Sequence, residues 1–187
     1  VHKLKAITPL GKAEPAIDCI GALTITEVVD RAMASVASRE GQTRALRQKL
    51  FEKTGLSLPE VSQSTQANPY AAFWSGPNQW MITAAHDDHE GLAAELKSQL
   101  GDCASVVEQT DGWCWFEVSG DTASSLFERL TNAPLREMQN GTALRTTLEH
   151  LSVFIWRFSA DRVAVIGPRS SAGSLHHALV AAAKSIA

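Results

Sequence analysis

The chain has little that marks chemistry. Its three cysteines, Cys19, Cys103 and Cys114, are odd in number and widely spaced, with no CxxC, so neither a zinc site nor a redox dithiol is supported. Reduced cysteines of a cytoplasmic protein are the plain reading. No apolar run approaches the roughly 18 residues of a membrane span, so no membrane partner is expected. Val1-His2-Lys3-Leu4-Lys5-Ala6 is basic, but no apolar stretch follows it, which argues against a secretory signal. Charge of one sign is also missing. There are 17 basic and 20 acidic residues, net −3, and no basic stripe, which argues against nucleic acid. No GxGxxG exists to hold a dinucleotide. There is no GxSxG, and no serine or cysteine with an evident histidine partner. Nothing names a general base, so no catalytic residue is assigned.

What is present is a globular pattern. At 187 residues and 44% hydrophobic, the chain has enough apolar material for one large domain or two small ones. Residues 1–20 contain Pro9, Gly11 and Pro15 with no steady period and read as an extended arm. Strands are expected over 22–28 and 32–37, although helix propensity alone would also allow one helix there. Gln42 to Lys53 reads as a helix with Leu46, Leu50 and Phe51 inside, stopped by Gly55. Val61 to Pro69 reads as a polar loop. Tyr70–Ser75, Gly76-Pro77-Asn78 and Gln79–Ala84 form a hairpin pattern. Asp87 or Asp88 is placed to cap a helix carrying Leu92, Leu96 and Leu100. Asp111-Gly112 predicts a second hairpin, between Val106-Val107 and Trp113–Val118. Asp121 or Thr122 is placed to cap a helix with Leu126, Phe127 and Leu130 inside, which Pro134 prevents from continuing. Three strands follow, over 142–148, 153–158 and 163–166, then a helix from about Ser171 to Ile186. Recurring ββα units imply α+β: antiparallel sheets covered by helices. The expected organisation is an arm over 1–20 and two α+β halves, 21–102 and 103–187, packed as one unit.

Five tryptophans stand out: Trp74, Trp80, Trp113, Trp115 and Trp156, all in expected strands. Trp113 and Trp115 share a face, because strand residues two apart point the same way. Core packing, a partner interface and a platform for a flat ligand are all open to them. As candidate functional residues they are interface residues. His86 and His89, three apart among acidic residues, resemble a surface metal site but lack a marked third ligand, so no metal is assigned. Adjacent His176 and His177 point to different helix faces. Gly167-Pro168-Arg169-Ser170-Ser171 precedes a helix and suits either an anion or a serine cap. Asp111 and Glu149 fall in expected turns.

The stretch from Trp74-Ser75-Gly76-Pro77-Asn78-Gln79-Trp80 through Asp111-Gly112 to the Ser119-Gly120 joint carries a family resemblance. So do the strand around Trp156-Arg157-Phe158 and the closing helix. Together they resemble the gamma subunit of heterotetrameric sarcosine oxidase and, more distantly, the aminomethyltransferase (glycine-cleavage T-protein) folate-binding fold. The resemblance runs from about Gly21 onward. It implies ferredoxin-like α+β units and a non-catalytic subunit that binds no cofactor itself. It further implies alpha, beta and delta partner subunits and a complex that uses FAD, FMN, NAD and tetrahydrofolate. That complex would oxidatively demethylate sarcosine to glycine, releasing hydrogen peroxide and methylenetetrahydrofolate. Related folate enzymes carry an adjacent acidic pair where this chain reads Asn140 to His150, and here that pair is missing. A free-standing folate-binding protein and an unrelated α+β ligand-binding domain are the other readings.

Overall fold

The structure, a computed structural model, describes residues 5–187. The basic start Val1–Leu4, and with it the tip of the expected arm, lies outside the described residues. Eleven strands and four α-helices alternate along the described chain: β1 Ile17–Ile20, β2 Leu23–Val28, β3 Arg31–Ser38, α1 Thr43–Thr54, β4 Ser64–Ala67, β5 Tyr70–Gly76, β6 Gln79–Ala85 and α2 Leu92–Leu100. Then come β7 Ala104–Glu108, β8 Trp113–Ser119, α3 Ala123–Phe127, β9 Ala143–Leu148, β10 Leu151–Ser159, β11 Arg162–Pro168 and α4 Ala172–Lys184. The class is α+β. One sheet has the order β1-β2-β8-β11-β10-β9, the other β4-β5-β6-β3-β7. Their contacts define two units. Of the described residues the first holds 5–29, 112–140 and 146–187, the second 30–111 and 141–145.

The second unit follows β3-α1-β5-β6-α2-β7, the βαββαβ plan, with β4 added at one edge. Its helices cover one sheet face. Leu46 and Leu50 of α1 and Leu92, Leu96 and Leu100 of α2 pack on Ala32, Ala34 and Val36 of β3 and on Trp80 and Ile82 of β6. Each such leucine contributes about 1.5–3 kcal/mol by leaving water. Gly55 ends α1 in the left-handed region, φ 71°, and its N–H donates to the Phe51 carbonyl at 2.8 Å. Phe51 itself points outward, 55% exposed, against the expectation that it faced the core. At i+5 from Leu46 it has rotated off the buried stripe.

The first unit uses the same plan, permuted. β8-α3-β10-β11-α4 supplies five of the six parts, and β2, from earlier in the chain, takes the place of the last strand. β1 and β9 extend the edges. The serial ββα pattern in the sequence is this βαββαβ plan read out of phase. Gly120 is required at the exit of β8. Its φ is 130°, and a Cβ there would lie 2.2 Å from the Ala22 carbonyl oxygen.

Four local expectations differ from what is seen. Ser64–Ala67, read as loop, is the strand β4, paired antiparallel with β5. Asp111-Gly112 does not close a hairpin: β7 pairs with β3, whereas β8 pairs with β2 and β11. Asp87 and Asp88 lie in a turn before α2, whose cap position is Gly91 without a side-chain bond. At α3, Thr122 holds the cap position but makes no side-chain cap bond. The observed units also do not coincide with the ranges 21–102 and 103–187. Pairing of β2 with β8 places the chain's first strands in the sheet of its last. Of the arm, Ile17–Ile20 is a strand paired with β2.

Candidate functional site

The tryptophans occupy different surroundings. Trp80 is 2% exposed, its indole N–H donates to the Pro59 carbonyl at 2.9 Å, and the Arg47 guanidinium lies 5.3 Å from its ring. Trp115 and Trp156, 5% and 1% exposed, meet with ring centroids 5.8 Å apart, and Phe158 stacks on Trp115 and meets Trp156 at a tilt. Such clusters favour tilted or offset rings and fix the packing of a sheet face. Burial within the chain removes Trp80, Trp115 and Trp156 as partner-contact residues. Trp113, against Phe154 at 5.4 Å, and Trp74, against the helix-covered core, remain half-buried.

The histidines do not converge. His86 lies 3.9 Å from Asp87, while the His89 Nδ1 is 2.9 Å from Glu95. Among the described residues no group of three or more His, Cys, Asp or Glu could hold a metal. His89 instead belongs to a network at the start of α2. The Tyr70 hydroxyl donates to Glu95 at 2.5 Å, and Gln99 donates to the same carboxylate at 3.2 Å. The Tyr70 bond chiefly holds the Glu95 carboxyl below its ordinary range, aided by His89 and Gln99 against the opposing effect of burial. Burial, with the bond to Glu95, pushes the Tyr70 hydroxyl up to about 12. His176 lies 2.7 Å from Asp18 and against the Phe116 ring.

Two buried charges escaped the sequence reading. Glu27 is 2% exposed and accepts the backbone N–H groups of Leu10 at 2.9 Å and Ala16 at 3.0 Å. It anchors the segment before β1, which Arg169 also holds through the Ile7 carbonyl at 3.0 Å. Ser171, at the cap position of α4, makes no side-chain cap bond. Arg157, 8% exposed, donates to the Leu135 carbonyl and to the Ser124 hydroxyl at 3.4 Å. A signal for both existed. Leu23, Ile25 and Glu27 share strand parity, as do Val153, Ile155 and Arg157, so each charge stands at an inward position. Near Glu27, burial pushes the Cys114 thiol up to about 11. A thiol so placed is no nucleophile near neutral pH.

A groove of about 860 Å³ lies within the first unit, between α4 and the β9–β10 turn. Leu130, Leu148, Leu151 and Ala182 form its apolar part, and Arg129, Glu149, His150 and His177 its ionisable rim. The Glu149 N–H donates to the Leu130 carbonyl at 3.0 Å, tying one wall to the end of α3. Glu149 holds this turn at φ 53°.

Comparison with known proteins gives a fold. No family model matches the chain, and no curated protein matches it. A chain of heterotetrameric sarcosine oxidase from Corynebacterium sp. U-96, solved in complex with pyrrole 2-carboxylate, superposes with a TM-score of 0.77. It is 22% identical over 90% of this chain and 87% of that one. Glycine cleavage system aminomethyltransferase T from Bartonella henselae superposes with a TM-score of 0.62 and 15% identity, over 82% of this chain but 44% of that one. The chain has the fold these two proteins share, as the sequence resemblance implied. No helix of the described residues is long and apolar enough to cross a membrane.

Proposed function

We propose that this chain is the non-catalytic gamma subunit of a heterotetrameric sarcosine oxidase and acts by assembly with alpha, beta and delta subunits. In this reading FAD, FMN, NAD and tetrahydrofolate are held by the larger subunits. The complex oxidatively demethylates sarcosine to glycine in the cytoplasm, with hydrogen peroxide and methylenetetrahydrofolate as further products. The observation that carries the reading is the better superposition on the oxidase chain, with a TM-score of 0.77 and 22% identity against 0.62 and 15% for the aminomethyltransferase. The polar groups add to this. Glu27, Arg157 and the Tyr70–Glu95–His89 network are engaged in holding backbone or one another, as structural groups are.

The likeness to aminomethyltransferase T also favours a second reading, a free-standing folate-binding protein. Titration with tetrahydrofolate, followed by tryptophan fluorescence, separates the two. The gamma-subunit reading expects no saturable quenching by the isolated chain. Saturable quenching at stoichiometric folate would replace it with the second.

A further inference from the structure

The backbone of β7 is half paired. β7 ends the sheet of the second unit and bonds to β3 alone among the described residues. Its register is marked at both ends. The Arg39 N–H donates to the Cys103 carbonyl at 3.1 Å, and the Gln109 N–H to the Met33 carbonyl at 2.9 Å. Antiparallel pairs alternate between bonded and unbonded. Ser35–Val107 and Ala37–Ser105 are therefore the bonded pairs, and Ala104, Val106 and Glu108 turn their N–H and C=O groups to the open edge.

The other three sheet edges are guarded by cover or charge, the usual means of keeping an edge from pairing. Along β4, the Ser64 N–H donates to the Gly141 carbonyl at 2.8 Å, and the Ala143 N–H to the Ser62 carbonyl at 3.1 Å. On β1, Asp18 is joined to His176 of α4 at 2.7 Å. β9 carries the exposed Arg145. β7 has no proline, no basic residue and no bulge. Its one charge, Glu108, folds back and accepts the N–H groups of Gln109 at 2.9 Å and Thr110 at 2.8 Å. Val107 is 54% exposed on one face, and Val106 packs at the margin of the helix-covered core on the other. At the start of β7 a groove of about 290 Å³ opens against the last turn of α2. Its charged residues are Arg39, Lys97 and Asp102, two cations against one carboxylate. Arg39 lies 3.3 Å from Asp102, whereas exposed Lys97 has no ion-pair or hydrogen-bond partner among the described residues. One positive charge is thus left over beside Ala104.

We infer that an extended segment of a partner subunit joins this sheet as a sixth strand, beside β7. The open N–H and C=O groups set the shape of the occupant, because only an extended backbone matches their spacing. The edge side chains set its chemistry. An apolar residue beside Val106 extends the core under α2, another covers Val107, and an acidic residue level with Ala104 meets Lys97. This contact belongs to the assembly proposed above and rests on that reading.

The test uses the full chain co-expressed with the alpha, beta and delta subunits of a heterotetrameric sarcosine oxidase. Amide hydrogen exchange, resolved to single residues, is compared between the isolated chain and the complex. The isolated chain should protect the amides of Ser105 and Val107 and leave those of Val106 and Glu108 open, and the complex should protect all four. Val106→Pro removes an outward N–H and no bond to β3, so the melting of the isolated chain should hold while association weakens about tenfold. Lys97→Glu should weaken association about threefold, because an exposed charge acts mainly on encounter. A complex in which the Val106 and Glu108 amides stay open would overturn the added strand and leave the assembly reading intact, whether or not Val106→Pro folds. Full-strength association by Lys97→Glu would overturn the acidic residue. Protection of those amides in the isolated chain, with a doubled native mass, would make the occupant a second copy and overturn the partner segment. Failure of the wild type itself to associate would overturn both the strand and the assembly.

Discussion

The two units solve one problem in different ways. In the second, a 12-residue and a 9-residue helix cover the sheet, and a run of leucines closes the space beneath. Its polar links, Arg47 to the Leu58 carbonyl and Tyr70 to Glu95, stay partly open to solvent. In the first unit α3 has only five residues, and irregular chain takes over part of the cover. Irregular backbone cannot satisfy its own N–H and C=O groups. Buried Glu27 and Arg157 do it instead, for Leu10, Ala16 and Leu135. Where helices cover a sheet, apolar side chains suffice. Where loops do, a charge on the inward face becomes part of the core.

Four substitutions would sharpen or break this contrast. Leu96→Ala in the second unit should cost about 2–5 kcal/mol, read from urea unfolding, because the site is fully enclosed. A smaller loss would mean that the helix layer collapses readily and is less rigid than the contrast requires. Glu27→Ala should cost about 2–4 kcal/mol, since two half-buried donors lose a buried charged acceptor. Removal of residues 5–16 should destabilise as well, because Glu27 then loses the same partners. The irregular segment is thus part of the fold. A truncated chain with unchanged melting would refute this. Arg157→Met keeps much of the volume but leaves the Leu135 carbonyl without its donor, and should cost about 1–3 kcal/mol.

Tyr70→Phe should have the smallest effect, about 1 kcal/mol, and a pH signature. The folded state depresses the Glu95 carboxyl below its ordinary 4.5. Its contribution is therefore complete above pH 4.5 and is lost as pH falls through the lower folded value. Loss of the Tyr70 hydroxyl should flatten that acid limb, which thermal melts between pH 2 and 6 would reveal. An acid limb identical to that of the wild type would assign the depression to His89 and Gln99 alone.

Legibility in the sequence followed range. Local signals were read well: Gly55 as a helix stop, Gly76-Pro77-Asn78 as a hairpin turn, and Leu92, Leu96 and Leu100 as one face. Signals that depend on a distant partner were not. Ser64-Thr65-Gln66-Ala67 has no apolar alternation and becomes a strand only because β5 is there to pair with it. Asp111-Gly112 has hairpin chemistry, yet the strands on either side enter different sheets. Core packing was one of three readings open to the tryptophans, and it holds for three of the five, but the cross-strand contacts that select it could not be seen from spacing. The groove was least legible, since Arg129, Glu149 and His177 lie far apart along the chain.

The assembly reading is tested most directly by the native mass of what forms when this chain is co-expressed with the alpha, beta and delta subunits of a heterotetrameric sarcosine oxidase. The account predicts one copy of the chain in a stable heterotetramer with sarcosine oxidase activity, and an isolated chain that is colourless and inactive. A chain that stays apart from those subunits, or that purifies alone with stoichiometric flavin, would contradict it.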